Sequence, residues 1–104
     1  MEMKILWTQE SVDRLKNIFD YYNYKASYKI ANKIVEGIIK QTELLSHNPF
    51  IGQREELLHK RTIKYYYLIY TNYKIIYWIG NDLIYIATVF DTRQNPDKIR
   101  RGIK

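Results

Sequence analysis

Three short strand-forming runs near the C-terminal end, divided by two tight turns, limit this chain more than any other feature. Thr62–Tyr70, Tyr73–Ile79 and Leu83–Phe90 are dense in β-branched and aromatic residues. Thr71-Asn72 and Gly80-Asn81-Asp82 separate them, and links of two or three residues allow only antiparallel hairpins. The region from Arg61 onward is therefore an antiparallel meander, and the rest of the chain must cover it.

The N-terminal half has a different period. Lys4-Ile5-Leu6-Trp7 reads as a short opening strand, and Thr8 as the N-cap of a helix with Glu10 and Asp13 near its positive end. Val12, Leu15, Phe19 and Tyr22 recur at helical spacing. The polar stretch Asn23–Ser27 predicts a break. A second stripe, Ala31, Ile34, Val35, Ile38 and Leu45, opposes Lys29, Lys33, Glu36 and Lys40. Two such helices joined closely pack as an antiparallel hairpin. Ser46-His47-Asn48-Pro49 ends the second helix, and Gly52 supplies the next turn. The expected fold class is α+β, in the order β-α-α-β-β-β, with a mostly antiparallel sheet and the helical hairpin on one face.

Alternation sorts the strand residues by face. Ile75, Tyr77 and Ile79, with Ile84 and Ile86, form the expected core layer, while Lys74, Ile76, Trp78 and Tyr85 project from the other side. That second face is too apolar for open solvent. It is either a docking surface or is covered by the C-terminal segment.

A length of 104 residues sets a single domain spanning 1–104. There is no cysteine, so neither a disulfide nor a thiolate metal site can form. Two histidines, His47 and His59, make a zinc centre an unexpected use of this chain, and no cofactor is expected. No apolar run is long enough for a bilayer and Met1-Glu2-Met3-Lys4 does not open a signal peptide, so the expectation is a cytoplasmic protein. The net charge of +6 is uneven: residues 54–104 hold 10 Lys/Arg against 5 Asp/Glu, and the first 53 residues 7 against 6. A basic half points to nucleic acid or an acidic protein as partner, or serves only solubility. Eleven tyrosines can stack on bases or simply build strands.

Each candidate functional residue has a plain structural use as well. Lys60, Arg61 and Lys64 form a cationic cluster along the first hairpin strand, for phosphate contact or for edge protection. Arg93, mounted just past the last strand and before Pro96, either grips an anion or pairs with Asp91 or Asp97 to fix the turn. Glu55 and Glu56 read as a solvated turn before they read as a base. His59 has a weak claim to catalysis. Among Tyr65, Tyr66, Tyr67, Tyr70 and Tyr77, alternate members belong to the core. Ser11 and Ser27 have no histidine partner for hydrolase chemistry.

Taken in order, several segments resemble the RelE/ParE superfamily of toxins from type II toxin–antitoxin pairs, the plasmid-stabilisation toxins. They are Asn48-Pro49-Phe50-Ile51-Gly52, Arg61, Tyr73-Lys74-Ile75-Ile76-Tyr77, and Ile84, Ile86 and Val89 followed by Asp91, Arg93 and Pro96. The resemblance runs from about Lys4 to Ile99. It implies a small toxin held inactive by an acidic antitoxin, with a homodimer or a toxin–antitoxin heterotetramer as possible assemblies. RelE-like members cut messenger RNA on the ribosome, and ParE-like members act on DNA gyrase. Arg93 matches a phosphate-binding arginine of the nucleases, and Lys74 stands where they carry a second one, which keeps the charge and loses the bidentate fork. The tyrosine or histidine–tyrosine pair near the nucleases' C-terminus has no counterpart here. The balance therefore tilts to a ParE-like, gyrase-directed toxin. A metal-independent endoribonuclease using Arg93, Lys74 and Arg61, or a non-toxic interaction module on the same fold, stands as the alternative. The antitoxin is expected across Trp78, Tyr85, Arg61 and Arg93, and the target against Lys60, Arg61, Lys64, Lys74 and Arg93. All of this presumes that the Arg93 guanidinium and the Lys74 ammonium lie side by side on an accessible surface.

Overall fold

A computed structural model describes residues 2–103. Strand β1 (Lys4–Trp7) leads into helices α1 (Gln9–Lys25) and α2 (Tyr28–Glu43). A two-residue strand β2 (Gln53–Arg54) follows, then β3 (Tyr66–Tyr70), β4 (Tyr73–Gly80), β5 (Leu83–Asp91) and a short helix α3 (Asp97–Gly102). The sheet order is β1-β5-β4-β3-β2, antiparallel except for the parallel β1–β5 pair. This is the expected α+β layout. The additions are β2, too short to leave a pattern in sequence, and α3.

Helix ends form where the residues predict. Thr8 caps α1 by accepting from Ser11 N, and Ser27 caps α2 by accepting from Ile30 N. The break falls at Ala26-Ser27, inside the expected Asn23–Ser27 stretch: the first helix runs to Lys25, with Ala26 N donating to Tyr22 O. Polar residues there face solvent, and a helix needs only one apolar face. In α2, Gly37 is where Tyr70 packs: a Cβ there would run into that ring.

Two apolar layers sandwich the sheet. One face packs Tyr73, Ile75, Tyr77, Ile84, Ile86 and Val89 against Ile38 and Leu45, with Leu15 and Ile18 of α1 at its margin. The other buries Ile76, Ala87 and Phe90 under Leu58, Tyr65, Ile99 and Ile103. The C-terminal segment thus covers much of the second face, as one of the two readings required. Tyr77, fully buried, ties the Pro49–Gly52 loop to the core: its hydroxyl donates to Pro49 O at 2.9 Å and accepts from Gly52 N at 3.0 Å.

The first hairpin strand is shorter than expected. It starts at Tyr66, not Thr62, because Arg54 is the last residue of β2 and residues 62–64 have no strand to pair with. Lys60, Arg61 and Lys64 consequently stand on a loop rather than along a strand.

A bulge in β5 decides which way its end points. Ile76 pairs with Thr88 and Tyr77 with Ile86, so Ala87 is left over. Simple alternation from Ile84 and Ile86 would put Asp91 on the face of Lys74 and Trp78. The extra residue flips the parity. Val89 pairs with Ile75 and Asp91 with Tyr73, all on the helical face, while Phe90 pairs with Lys74 on the other. The N-cap Thr8 holds the bulge in place, its hydroxyl 2.8 Å from Ile86 O and 3.1 Å from Ala87 O.

Candidate functional site

The end of β5 is the most constructed polar corner of the molecule. Asp91 accepts from Asn72 Nδ2 at 3.0 Å, from the Arg93 backbone N–H at 3.0 Å, and from Arg93 Nε and Nη2 at 3.0 and 2.8 Å. Thr92 donates through both its N–H and its hydroxyl to Asn72 O, each at 2.8 Å. The β3–β4 turn and the β5 exit are therefore locked together. The Arg93 fork holds the Asp91 carboxyl down at about 2, and the carboxylate in turn raises the Arg93 guanidinium. Arg93 is thus the turn-fixing partner of Asp91. Its side chain is still 60% exposed, so it can also meet a partner. Beside it, burial and the Tyr22 hydroxyl push the Tyr73 phenol far above the usual range, and it stays protonated.

This corner is one wall of a cleft of about 600 Å³ between α1, β5 and α3. Its floor includes Ile18, Val89 and Phe90, and its rim carries Arg14, Lys98 and Arg101 besides Arg93. Glu10, at its edge, is tied to Arg14 at 3.0 Å and to the Thr88 hydroxyl at 3.1 Å. Arg14, Lys98, Arg101 and Tyr21 escaped the sequence reading. Arg14 and Tyr21 are two turns apart on α1, a spacing visible in sequence. Only the docking of α3 brings Lys98 and Arg101 to them.

Lys74 does not belong to this corner. The bulge separates it from Arg93, and its ammonium is held by Glu55, with Nζ 2.9 and 3.2 Å from the two carboxylate oxygens. Glu55 is 1% exposed, not a solvated turn residue, and the Lys74 side chain is 22% exposed. Its charge also lies 4.3 Å from the Tyr67 ring centre. The expected surface with ammonium and guanidinium side by side does not form. The carboxylate and ring share the ammonium, so Lys74 is engaged within the fold rather than standing as an unpaired cation.

The remaining candidates are scattered. Arg61 donates from Nη2 to Arg100 O at 2.9 Å, and Arg100 donates back to Leu57 O at 3.1 Å, which clamps α3 to the loop. Lys60 and Lys64 are exposed and carry no ion pair among the described residues. His59 sits against Glu56 O at 2.6 Å, on the loop beyond β2. Trp78 and Tyr85 stack on the second face, ring centres 4.7 Å apart and planes at 8°, both half-buried. Among the described residues no group of three or more His, Cys, Asp or Glu is placed to hold a metal ion. None of their helices is long and apolar enough to cross a membrane.

Compared with protein-family models, residues 5–96 match the ParE toxin of type II toxin–antitoxin system, parDE. The chain belongs to the ParE toxin family. Among solved structures, a chain from the chromosomal ParDE toxin–antitoxin system of P. aeruginosa superposes with a TM-score of 0.72 at 21% identity. The match covers 86% of this chain and 96% of that one, and at this identity it speaks to the fold. No curated protein matches the sequence significantly. The protein is a type II toxin, and a cognate antitoxin is its partner.

Proposed function

We propose that this toxin inhibits growth by binding DNA gyrase and blocking religation, without cutting RNA. One observation carries the choice: the two cations that a phosphorane would need are on opposite faces, one of them held by buried Glu55. Cleavage through a 2′-hydroxyl also needs a proton acceptor near the guanidinium. The carboxylate at that corner, Asp91, is held by Arg93 and Asn72 with its carboxyl down at about 2, which makes it a weak base. A binding mechanism asks for none of this.

In this reading Arg93, Arg61, Lys60 and Lys64 face the target, and Lys74 is withdrawn from the contact set. The antitoxin lies across Trp78 and Tyr85 and meets Arg61 with acidic side chains, and passes round the end of β5 to reach Arg93 on the other side. The pair works in the cytoplasm, where gyrase is, as free toxin or as a heterotetramer with its antitoxin. Purified toxin, gyrase and relaxed plasmid provide the test. Supercoiling should stop and cleaved DNA complexes should accumulate, with both effects reversed by antitoxin. Unaffected gyrase together with discrete A-site cuts by primer extension would replace this reading with the nuclease. Harmless expression without antitoxin would leave only an interaction module.

A further inference from the structure

The cleft beside Arg93 does not end at α1. Arg14, Asn17, Ile18 and Tyr21 all line it, and the same helical face continues one turn further to Tyr24 and Lys25. At 1.5 Å per residue, Arg14 to Tyr24 is about 15 Å. Along that length two tyrosine rings are open to solvent. Tyr24 is 85% and Tyr21 51% exposed, and Lys25 Nζ lies 5.7 Å from the Tyr24 ring centre. At the other end, Lys98 and Arg101 are exposed on the cleft rim and carry no ion pair among the described residues.

We infer that this track, from α3 across the cleft to the tip of the helical hairpin, binds single-stranded nucleic acid without sequence preference. Open tyrosine faces suit bases, every one of which has a π-face, and the flanking cations suit the phosphates between them. The cleft, with the Asn17 amide and an apolar floor, has volume enough for one base. An acidic peptide would use the cations but brings no flat ring to the exposed faces of Tyr24 and of Tyr21, which packs edge-on against Tyr22. Of the acids along the track, Glu10 is engaged by Arg14 and Thr88, and Asp91 by Arg93. Asp20, one turn before Tyr24, is exposed and opposes a phosphate there.

The inference is independent of gyrase, and its test involves no gyrase. Fluorescence anisotropy of labelled 15-mer oligo-dT and oligo-rU is measured with the full-length protein between 50 and 200 mM salt. Both oligonucleotides should bind more tightly than a duplex of equal length. Tyr24→Ala or Tyr21→Ala should weaken binding roughly 5- to 150-fold, with Tyr24→Phe near wild type. Lys98→Ala with Arg101→Ala should reduce the salt slope by about 1.4. Asp20→Asn should tighten binding. Lys33→Ala, which changes charge off the track, should do little, and circular dichroism checks that each variant is folded. Absence of binding at 50 mM salt, equal binding of duplex, or equal losses from Lys33→Ala and the track variants would overturn the proposal. So would a poly-glutamate peptide that binds through these residues when the oligonucleotides do not.

Discussion

Lys74 is a buried partner before it is anything else. Glu55 has almost no contact with water, so its carboxylate depends on that ammonium. Lys74→Met should cost about 3 kcal/mol by chemical denaturation, because it leaves a charge without a counter-ion. The double change Glu55→Gln with Lys74→Met should recover most of the loss, and a strictly additive result would show that the pair is not coupled. Asp91 gives a pH signature. Its carboxyl titrates at about 2 in the fold against an ordinary 3.8. A depressed carboxyl pKa means stability that is complete above the ordinary value and drains away as pH falls through the folded one. Unfolding followed from pH 5 to pH 2 should show that loss between about 4 and 2, and Asp91→Asn should flatten the curve there.

Single elements are held by contacts that cross long stretches of sequence. Thr8 both caps α1 and satisfies the β5 bulge 78 residues later. Thr8→Ala should cost about 2 kcal/mol, the upper end for a lost cap, whereas Thr8→Ser should be close to neutral by thermal unfolding. The Pro49–Gly52 loop depends similarly on Tyr77, whose hydroxyl serves both a donor and an acceptor in that loop. Tyr77→Phe keeps the ring in the core and strands those two backbone groups. A loss of about 1–3 kcal/mol is expected, with faster hydrogen exchange at the Gly52 amide. The helix stripes and tight turns were readable because each has a local period or a local turn chemistry. β2 was not readable, since two residues make no pattern. Residues 62–64 were read as strand from composition and lack a partner to pair with.

At the scale of the whole molecule, the sheet needs a cover on both faces. The helical hairpin supplies one, and the C-terminal turn of helix supplies the other by burying Ile99 and Ile103 over Leu58 and Phe90. Removing residues 97–104 should expose that layer, lower the melting temperature by several degrees and increase binding of a hydrophobic dye. The site was only partly legible for the same reason. Arg93 stood out because a strand end fixes its position. Its partners in the cleft come from α1 and α3, separated from each other by most of the chain.

The sequence by itself determined the α+β order, the helical hairpin, the meander and the resemblance to a toxin family, because these follow from periods and turns among neighbouring residues. Tertiary structure alone decided which face each charge occupies. One unpaired residue, Ala87, shifts the β5 register and turns Asp91 and Arg93 away from Lys74. A one-residue offset reverses every side chain beyond it, and only the packing of Thr8 and α1 against that strand fixes where the offset falls.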